Sequence, residues 1–261
     1  MGSATRESLA AAEAALSAAP TVTIQTGEQL LSAGRIIDGS AQLRSVLSDP
    51  DSANKGQLVR TIFRSLDETA SSLLVGMADS RWSSTDQFLD AVEEIGIRAI
   101  ARASGDDGTI ESELFSFAKA VESDAELELA LGSKLGDPER RVALVDALLT
   151  GRASEATIVL LRYVVQNQRG RRIGELISRV ADIVAHDADA IVVTLTAATA
   201  PTTEQLDRLR TALTARYGRT PRFDVTVDPE LVGGLRVQVG DEVIDGSIAN
   251  RLADLRLRLA G

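Results

Sequence analysis

Hydrophobic residues recur at helical spacing along the first 187 residues of the chain. In residues 87–103 they follow the three-and-four spacing of one helix face, at Phe88, Leu89, Val92, Ile95, Ile97 and Ile100. Similar faces recur in residues 58–66 and 173–183. Proline or glycine interrupts the pattern at Asp49-Pro50, residues 105–108, residues 136–138 and Gly151. The pattern therefore predicts several amphipathic helices that bury one another.

Near residue 188 the pattern changes to the two-residue alternation of β-strands. Residues 190–197 are rich in β-branched side chains, and residues 222–227 alternate in the same way. Between them, Thr202 or Thr203 can cap a helix that reaches about residue 216. Residues 235–239 and 242–245 flank a Gly-Asp turn and predict a β-hairpin.

The last residues predict a final amphipathic helix. Ser247 is a residue type favoured at N-caps, and one apolar stripe follows it at Ile248, Leu252, Leu255 and Leu259. We expect the sheet or a partner to cover this stripe. The predicted fold is mainly α: a helical domain over residues 1–187 precedes a smaller α+β domain, a small sheet and two helices, over residues 188–261.

The helical region contains an internal repeat. Residues 30–47 match residues 114–131 without a gap, at an offset of 84. After a four-residue insertion the offset becomes 88, which pairs Asp49-Pro50 with Asp137-Pro138. Helices rich in alanine and leucine can resemble one another by composition alone. Because the apolar phase, the Asp-Pro break and the helix order agree over about 75 residues, we expect a duplicated bundle, at about 28–104 and 112–187.

Composition and charge argue against several classes of function. The 261 residues carry 28 basic and 38 acidic side chains, a formal net charge of −10. A protein that binds nucleic acid needs a positive surface to displace counterions, so we expect no nucleic-acid partner. The chain has no cysteine and a single histidine, His186, which rules out thiol chemistry, disulfides and sites with several histidine ligands.

Motifs for cofactors and catalysis are also missing from the sequence. No phosphate-binding loop string occurs, and the glycines of residues 232–240 read as hairpin glycines because strands flank them. Two aspartate pairs, Asp49 with Asp51 and Asp106 with Asp107, lie in predicted turns, where aspartate caps helices. We therefore expect no cofactor, no metal and no enzymatic activity.

No segment predicts a membrane span or a secretion signal. The longest runs without a charge hold 14 residues, whereas a bilayer span takes roughly 20 apolar residues. The first residues lack a basic start followed by an apolar run. We expect a cytoplasmic protein.

Two features of the helical region are candidates for contact with a partner. Trp82, the only tryptophan, lies between two predicted helices and could anchor a partner or pack the bundle. Arg169 and Arg172 belong to the densest basic cluster of an acidic domain. They could contact an acidic partner or cap helix ends.

The C-terminal string from Asp228 to Leu255 carries a specific signature. It contains a Gly-Gly pair, a Gly-Asp turn, an Asp-Gly-Ser cap and an Arg-Leu-x-x-Leu helix. In these features it resembles the delta subunit of ATP synthase, the bacterial counterpart of the mitochondrial oligomycin-sensitivity-conferring protein. Residues 160–177 are similar to the helix pair near the end of that family's N-terminal bundle. The chain resembles a long bacterial form, which exceeds the usual subunit by roughly one bundle repeat.

The resemblance implies a non-enzymatic peripheral-stalk protein of the F-type ATP synthase. It implies that the bundle holds N-terminal helices of α subunits in an apolar groove, and that the C-terminal domain meets the C-terminal region of the b subunit. The protein would then lie on the cytoplasmic face of the cell membrane, attached only through the complex. The residues alone leave two other functions open: an unrelated adaptor whose bundles bind amphipathic peptides, and an enzyme such as a phosphohydrolase that uses Asp106 or Asp137.

Overall fold

The structure is a computed structural model. It describes residues 2–105, 108–132, 137–168, 171–229, 231, 234–240 and 242–245. The chain divides into two compact units between Val184 and Ala185. Helices dominate the first unit and the second contains the sheet, so the mainly α fold with a smaller α+β part is confirmed. No helix of the described ranges has the length and apolar character that a membrane span needs.

Eleven helices, counted over the described ranges, precede the sheet. They are α1 (Ser3–Ala18), α2 (Ile24–Asp38), α3 (Ala41–Ser48), α4 (Lys55–Ile62), α5 (Glu68–Asp79), α6 (Thr85–Ser104), α7 (Thr109–Ser123), α8 (Ala125–Gly132), α9 (Pro138–Leu149), α10 (Glu155–Gln166) and α11 (Ile173–Asp187).

Local sequence sets where these helices begin. A side-chain oxygen accepts a hydrogen bond from a backbone N–H of the first turn at several N-caps, among them Ser40, Asp67, Ser84 and Ser154. Thr23 and Thr26 form a reciprocal capping box at the start of α2. Asp137 caps α9 and Pro138 occupies its first turn, where proline loses no hydrogen bond.

Helices α1 to α6 form the first bundle and enclose one hydrophobic core. The core includes Leu16 of α1, Leu30 of α2, Leu74 of α5 and Phe88 of α6. Helix α1 lies before residue 28, where the repeat was expected to begin, yet it belongs to this bundle. Its apolar residues Ala12 and Leu16 pack into the core. The exposed positions of the helix are mostly alanine and charged residues, so α1 has one face that gains from burial.

Helices α6 to α11 form the second bundle around another core. It includes Ile97 and Ile100 of α6, Leu114 of α7, Leu160 of α10 and Ile177 of α11. Residues of α6 from Phe88 to Ala99 thus contribute to the first core, and Ile97, Ile100 and Ala101 contribute to the second. The two bundles share a helix instead of meeting at a linker.

Equivalent positions of the two bundles are buried alike. Three pairs of residues that the repeat relates, at offsets of 84 or 88, show this. Every member is at most 4% exposed: Leu30 and Leu114, Leu47 and Leu131, and Phe88 and Leu176. Five helices follow one another in the same order in α2–α6 and in α7–α11.

Equivalent polar side chains also make equivalent contacts. Gln29 of α2 accepts, through Oε1, the backbone N–H of Asp67, the N-cap of α5, at 2.7 Å. Eighty-four residues later, Glu113 of α7 accepts the backbone N–H of Ser154, the N-cap of α10, at 3.0 Å. Shared composition would not place matching side chains on matching caps, so the duplicated helical bundle is confirmed.

The second unit is a four-stranded mixed sheet with one helix in the described ranges. Its elements are β1 (Ala190–Ala197), α12 (Thr203–Tyr217), β2 (Thr220–Val227), β3 (Leu235–Val239) and β4 (Glu242–Asp245). The strand order is β2-β1-β3-β4. Strands β1 and β2 run parallel, joined by α12, whereas β1 pairs antiparallel with β3, and β3 with β4. The predicted first strand and the hairpin are confirmed.

Helix α12 supplies the core of this unit together with one face of the sheet. Leu213 is buried with Val193, Leu195 and Val237. Strand β2 begins two residues before its predicted start, and Pro221 lies in it. Because β2 is an edge strand, it pairs with a neighbour on one side only, and proline is tolerated in such strands. The predicted last helix lies outside the described residues.

Candidate helix-binding grooves

The first bundle has a groove between the end of α1 and the starts of α2 and α5. Its volume is about 630 Å³, and small or apolar side chains from α1 and α5, among them Ala15, Ala18 and Leu73, line it. Ala15 and Ala18 are exposed. An amphipathic helix can lay its apolar face in a groove of this kind, because side chains this small let another helix approach closely. We call this surface the first-bundle groove.

Acidic side chains form one rim of the first-bundle groove. Asp67 and Glu68 lie at the start of α5. The Asp67 carboxylate accepts hydrogen bonds from the backbone N–H of Ala70 at 2.7 Å and from Thr26 Oγ1 at 2.8 Å. These bonds hold the negative rim in place, so it favours a helix that carries basic residues beside its apolar face.

The second bundle has a smaller and more apolar groove between α7, α8 and the end of α9. Its volume is about 360 Å³, and its lining includes Phe117, Leu127, Leu148 and Leu149. Arg152, which is exposed, lies at its edge. A cation at the edge favours a helix with an acidic residue there. We call this surface the second-bundle groove.

The two grooves occupy different places in the repeat. The first-bundle groove lies beside α1, whose counterpart in the second bundle is α6. Helix α6 is buried on nearly all sides, with Ala99 and Ile100 completely covered, because α2 packs against it and both cores include it. The duplication therefore does not give the two bundles the same open surface.

A third groove lies between the two bundles. Side chains of α2, α9 and α10 line its volume of about 460 Å³. Arg35 of α2 donates a hydrogen bond to Gln166 of α10 across it, and Arg162 pairs with Asp146 at 2.6 Å. Because these polar side chains bond to one another in the third groove, it offers less apolar surface to a partner helix than the other two grooves do.

The structure places Trp82 inside the first bundle. Its side chain is 7% exposed, and its ring centroid lies 6.0 Å from that of Phe88. The indole N–H donates to the carbonyl oxygen of Met77 at 2.7 Å. This geometry agrees with the packing alternative. A role in partner binding stays a prediction.

The basic cluster is described only in part. Arg172 is exposed directly before α11, and Arg169 lies outside the described residues. Two neighbours face inward: Asn167 donates to the Tyr163 hydroxyl at 2.5 Å, and Gln168 donates to the carbonyl oxygen of Leu131. The exposed position of Arg172 leaves its contact with a partner a prediction.

The predicted stripe of the last helix, Ile248, Leu252, Leu255 and Leu259, lies outside the described residues and also stays a prediction. In the described part of the second unit, the Tyr217 hydroxyl donates to Glu242 at 2.6 Å. That hydrogen bond raises the pKa of the Tyr217 phenol above its usual 10.0. It ties the end of α12 to β4.

The aspartates and the histidine singled out in the sequence have local partners. Asp49 accepts the backbone N–H of Asp51 at 2.9 Å, as in a turn, and Asp137 accepts that of Glu139 at 3.0 Å as a cap. Exposed His186 bonds through Nδ1 to Arg219 at 2.8 Å. Asp106 and Asp107 lie outside the described residues. Within the described part of the chain, no group of three or more acidic or histidine side chains could hold a metal ion.

Sequence reasoning missed a buried polar cluster between the bundles. The carboxylate of Glu93 in α6 is 4% exposed and accepts a hydrogen bond from the Tyr163 hydroxyl of α10 at 2.9 Å. Arg179 of α11 approaches the same carboxylate at 3.5 Å. The available signal was a glutamate between Val92 and Ile95, inside an otherwise apolar stretch of a predicted helix.

These features define a class: a duplicated helical bundle with grooves that suit helices, followed along the chain by a small α+β unit. The chain matches the family described as ATP synthase delta (OSCP) subunit over residues 97–259. That range begins inside α6 and covers the second bundle, which agrees with the resemblance of residues 160–177 to the family's bundle.

Relatives match the chain over its full length. It is 45% identical over 264 aligned residues to ATP synthase subunit delta of Leifsonia xyli, covering 100% of both chains. It is 38% identical to the Streptomyces avermitilis protein of the same name, covering 98% of both. The chain therefore belongs to the ATP synthase delta (OSCP) subunit family. A chain in the Toxoplasma gondii mitochondrial ATP synthase hexamer is 20% identical, with a TM-score of 0.41, covering 64% of this chain and 95% of that one.

Proposed function

We propose that this protein is a non-catalytic stator subunit of an F-type ATP synthase that clamps the catalytic head to the b stalk. The observation that carries the proposal is full-length similarity to proteins named ATP synthase subunit delta. The grooves between helices support a role in binding helices. Membership of the family argues against an unrelated peptide-binding adaptor.

Each bundle holds the N-terminal helix of one α subunit. The head presents three α subunits around one stalk, so two bundles can hold two of them. The acidic rim of the first-bundle groove suits a helix with basic residues, and Arg152 beside the second-bundle groove suits one with an acidic residue. Two linked contacts bind the head more tightly than one, because the second becomes intramolecular.

Single substitutions in the full chain test this use of the grooves. Ala18→Gln places a longer polar side chain in the first-bundle groove, and Ala14→Gln makes the same change at an exposed α1 position outside it. In the second-bundle groove, Ala120→Gln is matched by Ser123→Gln, which also lies on α7. We expect each groove variant to weaken binding to the isolated head about tenfold or more, and each control to bind normally. Equal affinities for variant and control would contradict the use of that groove.

The C-terminal domain binds the C-terminal region of b, and the apolar stripe of the last helix takes part. Leu255→Asp places a carboxylate in that stripe, whereas Ala253→Asp adds one outside it. We expect only Leu255→Asp to weaken b binding or to lower the melting temperature, because it buries an unpaired charge. If Leu255→Asp changes neither, the stripe is not an interface.

Attachment to the cytoplasmic face of the cell membrane follows from this role. We expect the protein in the membrane fraction of cells, and in the soluble fraction when b is removed. We also expect no turnover of phosphate esters by the isolated chain. Turnover that Asp137→Ala abolishes would support the phosphohydrolase alternative instead.

A further inference from the structure

Helix α6 is enclosed by both bundles. From Ala91 to Ala101 nearly every residue is buried, including Ala99 and Ile100, which are fully covered. A helix buried all round belongs to the interior of a single packed body, not to the surface of two bodies that meet. Motion of one bundle against the other would expose the α6 residues that pack in one of the two cores.

Helix α2 fits against α6 with little space for adjustment. A Cβ atom added to Gly27 would lie 2.5 Å from the Gly96 carbonyl oxygen, and one added to Gly96 would lie 2.9 Å from the Leu31 side chain. The close approach places neighbouring residues of α2 in different cores: Leu30 packs in the first and Leu31 in the second. Sliding of α2 would therefore disturb both cores.

Polar groups fix the register between the bundles. Glu93 of the shared helix is buried and accepts from the Tyr163 hydroxyl of α10 at 2.9 Å, and its other carboxylate oxygen lies 3.5 Å from Arg179 Nε. Asn167 donates to the same hydroxyl. A buried carboxylate that loses its partners is strongly destabilising, so this arrangement opposes any shift that separates α6 from α10. We call Glu93, Tyr163 and Arg179 the bundle lock.

We propose that the shared helix and the bundle lock make the two bundles one rigid body with a fixed orientation. The first bundle is thus a rigid extension of the second, and not a binding module on a flexible tether. Rigidity sets the spacing between the two grooves. This inference concerns the chain alone and holds whatever the grooves bind.

Distance measurements between spin labels test the proposal. The full chain has no cysteine, so Ile62→Cys in α4 and Leu129→Cys in α8, both exposed positions, carry one label on each bundle. We expect a single narrow distance distribution. Adding Glu93→Ala should introduce a second component at longer distance.

Glu94→Ala is the matched control, because Glu94 is the next residue of α6 and pairs at 2.7 Å with Arg98 of the same helix. It should leave the distribution single. If Glu93→Ala does not fold, Tyr163→Phe tests the proposal instead, since it removes only the hydroxyl and keeps the ring. It should also add a component at longer distance to the distance distribution. Two distances in the parent chain, or a distribution as narrow in the folded lock variant as in the control, would overturn the proposal.

Discussion

Lys55 places an ammonium group in the interior of the first bundle. The residue is 5% exposed, and its Nζ finds no hydrogen-bond acceptor among the described residues. Burial without a partner costs the full desolvation of the group. Lys55→Met keeps most of the side-chain volume and removes the charge, so we expect it to raise the free energy of unfolding by about 1–3 kcal/mol.

Urea unfolding of the full chain measures this change. Lys119→Met, at a half-buried lysine of α7, serves for comparison and should have a smaller effect. A loss of stability in Lys55→Met would show that the ammonium group has a partner in solution.

Asp182 of α11 gives stability a dependence on pH. Burial raises the pKa of its carboxyl above the usual 3.8, although the side chain stays partly open to solvent. The folded chain therefore binds this proton more tightly than the unfolded chain does, and the free energy of unfolding falls as pH rises through the raised pKa. We expect Asp182→Asn to be slightly more stable than the parent at pH 7, with the gain vanishing below about pH 3.8. Thermal unfolding at both pH values checks this, and a variant less stable at pH 7 would contradict it.

At the scale of elements, the crossing of α2 and α6 depends on glycine. Gly96→Ala would place Cβ 2.9 Å from the Leu31 side chain, which the surrounding core holds in place. We expect a loss of about 1–3 kcal/mol, as for other overpacked cores. Gly76→Ala in α5 is the control: apart from the chain neighbours and the helix's own backbone, no described atom lies within 4 Å of the added Cβ, and alanine favours a helix by about 0.5–1 kcal/mol. Chemical denaturation compares the two, and a neutral Gly96→Ala would show that the crossing can relax.

The sequence predicted individual elements well where one face of an element is buried. Residues 190–197 alternate because α12 covers only one side of β1, and the observed strand has the same bounds. Helix α6 differs, since Val92 faces the first core and Ile97 the second. One apolar stripe was expected there, whereas two overlapping stripes are present. Hydrophobic periodicity shows that such a helix is buried, but it does not show how many neighbouring helices bury it.

At the scale of the whole molecule, the division between the two units falls inside α11, and a short connection follows that helix. Helix α11 ends at Asp187 and β1 begins at Ala190, with Asp189 in the left-handed conformation at φ 53°. We expect an aspartate-directed protease to cut first near residues 185–190, leaving two resistant fragments, because residues 188 and 189 belong to neither a helix nor a strand. Mass spectrometry identifies the fragments. Equal resistance here and inside the helices would contradict two separable domains.

The shared helix also changes how the first bundle should be removed. Residues 28–104 are the first copy of the repeat as the sequence predicts it. Deleting them would also remove Ile97 and Ile100, which belong to the second core. The remaining chain would lose stability for a reason unrelated to binding. Substitutions in the grooves leave both cores intact and therefore separate binding from folding.

The sequence by itself determined the fold class, the duplication and the family, because these depend on local periodicity, capping residues and turn signals that neighbouring residues encode. Tertiary structure alone decided that α6 serves both bundles, that Glu93 meets Tyr163 seventy residues away, and that the groove beside α1 stays open. These are contacts between residues distant along the chain, and they depend on which helix faces which. Amphipathic periodicity fixes the buried face of each helix but leaves its partner unspecified, so only close packing of the assembled helices selects one arrangement.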